Sequence, residues 1–257
     1  MSSSGLQLWI TLLLYSIPGL VIGFTLHELA HAYAAMCFGD PTPRSQGRLT
    51  LDPREHIDPF GMGALLVIGF GWAKPVQFNP FYVRSRVQQG LVAAAGPFTN
   101  LALAVVFAIA LHIELIASPQ ANLQACDPDV LGFCQIGFGH GGGAGVLYWF
   151  LVQAFYLNVV LFVFNMLPIP GIDGFAVFRG LFGGVVPDLF RWMEMNRQLV
   201  WVGAIVVLFV LPQASGGTSN PLSTIIRHVN DFLYHHFVSS SGEVVGGLVS
   251  LISALST

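Results

Sequence analysis

Two histidines and a glutamate stand together in the segment His27-Glu28-Leu29-Ala30-His31, inside an apolar run from residue 6 to 38 in which Glu28 is the sole Asp, Glu, Lys or Arg. On a helix, residues four apart share a face, so the two imidazoles lie about 40° apart around the axis and can hold one metal ion between them. Glu28 adjoins the pair, where it can take a proton from a water that the metal makes acidic. H-E-x-x-H is the spacing of zinc-dependent peptide hydrolysis, with two histidines as ligands and the glutamate as general base. Ionisable groups in a segment apolar enough to enter a bilayer are costly and mark function, with a partner nearby. The bland alternative is a helix that carries two packed histidines and a paired glutamate.

A catalytic zinc takes three protein ligands and leaves one position for water. Asp173 is the candidate third ligand. It follows an apolar segment that ends in Asn165-Met166-Leu167-Pro168-Ile169-Pro170-Gly171-Ile172-Asp173-Gly174. The two prolines break the helix, and broken backbone at membrane depth is tolerated where it is buried or lines a wet cavity. Against this, Asp-Gly is also an ordinary turn. Asn165 offers an amide near the same place. Two uses are equally open to it: stabilising an oxyanion or holding substrate, or bonding a carbonyl freed at the helix end.

The elements that must position these groups are apolar. Of 257 residues, 54% are hydrophobic and 9% charged, and the mean hydropathy is +0.70. Soluble domains carry about 25% charged residues. The composition therefore reads as a polytopic α-helical membrane protein in a single membrane domain, residues 1–257. A net charge of −3 without a basic cluster argues against a nucleic-acid partner. Three cysteines are too few for a disulfide scaffold. Cys126 and Cys134 share one loop, bridged or free, and Cys37 is expected to pack. No Lys or Arg precedes the first apolar run, so it lacks the charged region of a signal peptide and is expected to stay in the mature protein.

About four to six hydrophobic segments are expected. The first, 6–38, would be about 50 Å long if fully helical, against a hydrocarbon core of about 30 Å. Pro18-Gly19 should kink it and Gly39-Asp40-Pro41 should end it. The metal site would lie roughly 10–16 Å from that end. Residues 47–51 suit a short strand, 60–72 a re-entrant or interfacial piece, and 71–80 an extended segment. Residues 90–117 and 145–167 are clear spans, and 199–211 is a short core that could cross with its flanks. Residues 222–237 look amphipathic and interfacial, and the apolar tail 242–256 is unassigned. If 60–72 does not cross, nine of the ten Lys and Arg fall on the cytoplasmic side, as the positive-inside rule asks. This arrangement also brings Asp173 to the same face as His27 and His31. His56 and Asp58 suit a structural hydrogen-bonded pair, His112 an interfacial position, and His228, His235 and His236 the surface.

These residues resemble the site-2 protease family of intramembrane zinc metalloproteases. The resemblance rests on His27-Glu28-x-x-His31 together with Asn165-x-x-Pro168-x-Pro170-x-x-Asp173-Gly174. Supporting matches are Gly47-Arg48-Leu49-Thr50-Leu51, His56-Ile57-Asp58-Pro59, Gly71-Trp72-Ala73-Lys74-Pro75, and Ala95-Gly96-Pro97 with Asn100. They cover roughly residues 20–180 in the family's order. The chain is similar to compact prokaryotic members without a PDZ or CBS domain. The resemblance implies that His27, His31 and Asp173 bind one Zn2+, that Glu28 is the catalytic base, and that Asn165 assists substrate or transition state. It also implies hydrolysis of a transmembrane protein substrate within the bilayer of the cell membrane, with the active site toward the cytoplasm. One departure is Gly171-Ile172, where many relatives have Pro-Leu. Two other functions compete. A catalytically silent zinc- or substrate-binding protein of the same fold should have lost Glu28 or a ligand, and neither is lost. A metal transporter should show inverted repeats and several intramembrane carboxylates, and the sequence carries neither. Oligomeric state is left open.

Overall fold

The computed structural model describes residues 3–68, 71–117, 143–214 and 220–238. Cys126, Cys134, His140 and the tail 242–256 lie outside them. The described residues are helical and contain no strand. Helix α1 spans Ser3–Cys37, α2 Thr42–Ser45, α3 Pro59–Ile68, α4 Arg86–Ala117 and α5 Gly143–Asn165. After it come α6 (Asp173–Phe182), α7 (Pro187–Met195) and α8 (Arg197–Ile205). A π-helical stretch leads into α9 (Leu211–Ala214), and α10 is Pro221–Leu233.

Among the described residues, four stretches are long and apolar enough to cross a membrane: Leu13–Cys37, Arg86–Glu114, Val146–Asn165 and Arg197–Ala214. Each leaves large apolar side chains outward, among them Leu14, Val106, Val146 and Val202, as helices surrounded by lipid do. The chain is thus a polytopic helical membrane protein. Helix α1 carries Pro18 in its interior and ends where the sequence predicts. Gly39 takes φ +88°, and the Gly39 and Asp40 N–H groups donate back to Met36 and Ala35 at 2.8 and 3.1 Å. This is a Schellman stop, which a glycine makes without a Cβ penalty.

Two compact units are distinguishable. One holds residues 1–20, 102–160 and 223–257. Within it, Gly19 of α1 lies so close to Ala154 of α5 that a Cβ would stand 2.9 Å from the Ala154 backbone. Small residues let membrane helices approach in this way. His112 is buried here, with Nδ1 2.7 Å from the Val238 carbonyl. A carbonyl beyond α10 thus supplies the partner of His112, near the end of its span.

The other unit holds residues 21–101 and 161–222. Here α4 and α6 meet at Gly90 and Gly180, where each glycine sees the other's Cα about 3.1–3.2 Å from its missing Cβ. Arg179 pairs with Glu194 at 2.5 Å and reaches Gln89 at 3.1 Å, tying α6 to α7 and α4. Residues 47–51 are not a strand. Gly47 turns at φ +70°, and Arg48 is buried, donating to the carbonyls of Glu55, Lys74 and Pro75. Residues 71–79 form no helix, and Ala73 makes an isolated antiparallel bridge with Ile57. His56 and Asp58 do not pair: His56 Nε2 donates to the Thr50 carbonyl at 2.8 Å, and Asp58 accepts from the Phe60 and Gly61 amides that open α3. Residues 60–68 are helical, in a piece too short to span. Cys37 is exposed rather than packed.

Candidate metal centre

His27, Glu28 and His31 lie on the buried side of α1, between 6% and 8% exposed. A stripe of α4 faces them. Val92, Gly96 and Asn100 are spaced by four, so they share one face of that helix. The Val92 carbonyl meets His31 Nδ1 at 2.7 Å, and Asn100 Oδ1 meets His27 Nδ1 at 2.6 Å. Asn100 Nδ2 continues to the Gly23 carbonyl at 3.3 Å. The numbers rise on one helix as they fall on the other, so α1 and α4 run antiparallel along this contact.

The chain returns through the turn 166–172. Gly171 sits at φ +100°, a conformation closed to proline. Gly174 packs against the carbonyl of Leu167, where a Cβ would stand 2.4 Å away. The Trp201 indole N–H holds the Pro170 carbonyl at 2.9 Å. These constraints bring Asp173 back to α1. Its Oδ2 is 3.1 Å from His27 Nε2 and 3.2 Å from His31 Nε2, and the two Nε2 atoms are 3.1 Å apart.

The donor set can be deduced from satisfiability. A main-chain carbonyl only accepts, so the contact with Val92 makes His31 Nδ1 the protonated nitrogen. The Gly23 carbonyl likewise fixes the Asn100 amide, which turns its oxygen to His27 and makes Nδ1 the donor there. In neutral rings both Nε2 atoms then present lone pairs to a carboxylate oxygen. Three acceptors this close need a cation among them.

Zinc fits the set. Ligand atoms about 2.0–2.1 Å from a tetrahedral zinc stand about 3.3 Å apart, close to the separations here. Room exists because residue 96 is glycine. A Cβ there would lie 2.3 Å from His31 Nε2 and 2.7 Å from His27 Nε2. Among the described residues, His27, His31 and Asp173 are the cluster able to hold a metal.

Glu28 is held separately. Its Oε2 accepts from the Val76 N–H at 2.9 Å. The segment carrying Val76 is fixed on both sides of that contact. Lys74 N–H donates to the His56 carbonyl at 2.7 Å, Arg48 grips the Lys74 and Pro75 carbonyls, and Asn79 N–H donates to Asp40 at 2.6 Å. Asn165 is engaged differently: its Nδ2 donates to the Leu161 carbonyl of its own helix at 3.0 Å. No sequence signal marks Val76, and Gly96 and Asn100 stand out in the sequence only as parts of the motif Ala95-Gly96-Pro97 with Asn100. For Asn100 a signal was available, since it is a polar residue four places from Gly96 in an apolar helix.

Comparison with known proteins points the same way. Residues 15–211 match the sequence profile of peptidase family M50. A Bacillus subtilis (strain 168) protein named "Putative zinc metalloprotease YwhC" is 38% identical over 207 residues, covering 80% of this chain and 84% of that one. Rip2 of Mycobacterium tuberculosis (strain ATCC 25618 / H37Rv), named in the same words, is 30% identical over 205 residues, covering 78% and 68%. MJ0611 of Methanocaldococcus jannaschii, also so named, is 29% identical over 161 residues, covering 61% and 65%. No solved structure gives a significant match.

Proposed function

Because the chain belongs to peptidase family M50, the site-2 protease family, we propose that this zinc metalloprotease hydrolyses peptide bonds within transmembrane segments of other membrane proteins. His27, His31 and Asp173 would hold one zinc. The observation that carries the reading is the convergence of two imidazole nitrogens and a carboxylate oxygen within 3.2 Å, the two imidazoles on a helix apolar enough to span a bilayer.

Zinc supplies Lewis acidity, polarising a carbonyl oxygen and making water acidic enough to lose a proton near neutral pH. The chain's own groups do the rest. Glu28 takes the proton from water and delivers it to the leaving amine. The Val76 N–H holds one carboxylate oxygen, which orients the other for that transfer. His27 and His31 are locked through their Nδ1 atoms. One Asn165 amide N–H serves Leu161, which leaves its second N–H and its Oδ1 to assist substrate or transition state. A substrate helix must unwind before cleavage, because its own hydrogen bonds hide the carbonyl. With nine of the ten cationic side chains between 39–89 and 168–198, the positive-inside rule puts the site toward the cytoplasm of the cell membrane.

The experiment is cleavage of a reporter carrying a transmembrane segment, in detergent or in vesicles, by wild type and Glu28→Gln. The substitution keeps size and removes the base. Zinc content should be unchanged while the rate falls by about 10²–10⁴. Undiminished cleavage by Glu28→Gln would refute the assignment of the base.

A further inference from the structure

We propose that Asn100 is a positioning residue for the metal site: its side-chain carbonyl holds His27 with Nε2 aimed at His31 and Asp173. The proposal rests on the zinc reading above and deepens it. Asn100 is fully buried on α4 and 73 residues from His27 in sequence, yet its Oδ1 lies 2.6 Å from His27 Nδ1. The Gly23 carbonyl on its other side forces the amide into one orientation. That orientation puts the proton on Nδ1 and leaves Nε2 bare for a metal.

The two ligating histidines are secured differently. His31 Nδ1 donates to the Val92 main-chain carbonyl, which no substitution removes. His27 depends on a side chain. Without it, the His27 ring would lose its tautomeric preference, and Nδ1 would be a buried donor without its partner. Outer partners of this kind are worth about 10–100-fold in metal affinity. The competing explanation is that Asn100 merely joins α1 to α4 through its amide. The two roles use different atoms, so they can be separated.

Wild type, Asn100→Ala and Asn100→Asp are purified in detergent, and zinc affinity is measured by competition with a chromophoric chelator. Thermal unfolding of the zinc-free proteins is recorded alongside. Both variants lose the Nδ2–Gly23 hydrogen bond, and only Asn100→Asp keeps an oxygen for His27 Nδ1. Asn100→Ala should bind zinc about 10–100-fold more weakly, with Asn100→Asp near wild type, while both zinc-free variants unfold below wild type for want of the Nδ2–Gly23 bond. If Asn100→Ala does not fold, Asn100→Leu fills the space without an acceptor and gives the same comparison. Equal zinc affinities in all three proteins, or equal losses in both variants, would overturn the proposal alone. A wild type that takes up no zinc would overturn the metal-site reading and this proposal with it.

Discussion

Gly96→Ala is the smallest change that tests where the metal sits. The added methyl carbon would lie 2.3 Å from His31 Nε2 and 2.7 Å from both Nε2 and Cε1 of His27. Even a 3.0 Å contact requires His31 Nε2 to retreat by about 0.7 Å. Metal-ligand distances tolerate about ±0.2 Å, so at least one ligand is lost. Retreat is hindered because each ring is tied at Nδ1 to α4 itself. Disturbing a mere outer partner costs up to about 100-fold in affinity. Displacing a ligand should therefore cost at least that, about 2.7 kcal/mol. The cost to the zinc-free fold should be that of a crowded core, about 1–3 kcal/mol. The assay is zinc per chain by elemental analysis, with affinity by chelator competition and zinc-free stability by thermal unfolding. A folded Gly96→Ala protein that binds zinc with wild-type affinity would refute the placement.

Two further outcomes follow from the loop that holds Glu28. Asp40 is buried and accepts from the Thr42 and Asn79 amides. Burial would raise its carboxyl, but these hydrogen bonds bring the net shift below its ordinary 3.8. A lowered folded value means that its stabilisation is present above pH 3.8 and is lost as the pH falls through the folded value. Asp40→Ala should cost about 1–3 kcal/mol at neutral pH and flatten the acid limb of stability, read by unfolding against pH, with zinc retained. Arg48→Ala releases the Lys74 and Pro75 carbonyls, so the Val76 contact to Glu28 loosens. Reporter cleavage should fall by at least about tenfold with zinc content unchanged, since no ligand is touched; unaltered cleavage would count against a fixed loop.

Much of the site was readable because its signals are local. His27 and His31 are tied by helical spacing, and Asp173 is marked by the two prolines and the glycines around it. The spans follow from apolar length alone. What the sequence hid depends on contacts distant in sequence. The 47–51 segment alternates like a strand, yet Arg48 turns inward to three carbonyls that no pattern announces. His112 has a polar look near a helix end, and its partner lies 126 residues away. The hold of Val76 on Glu28 is a main-chain contact, to which side-chain identity contributes nothing.

The central claim is that His27, His31 and Asp173 form one zinc site. Elemental analysis of detergent-purified wild type and Asp173→Ala tests it most directly. The account predicts about one zinc per wild-type chain and far less in the variant. A wild type without zinc after metal-sparing purification, or a variant that keeps its zinc, would contradict it.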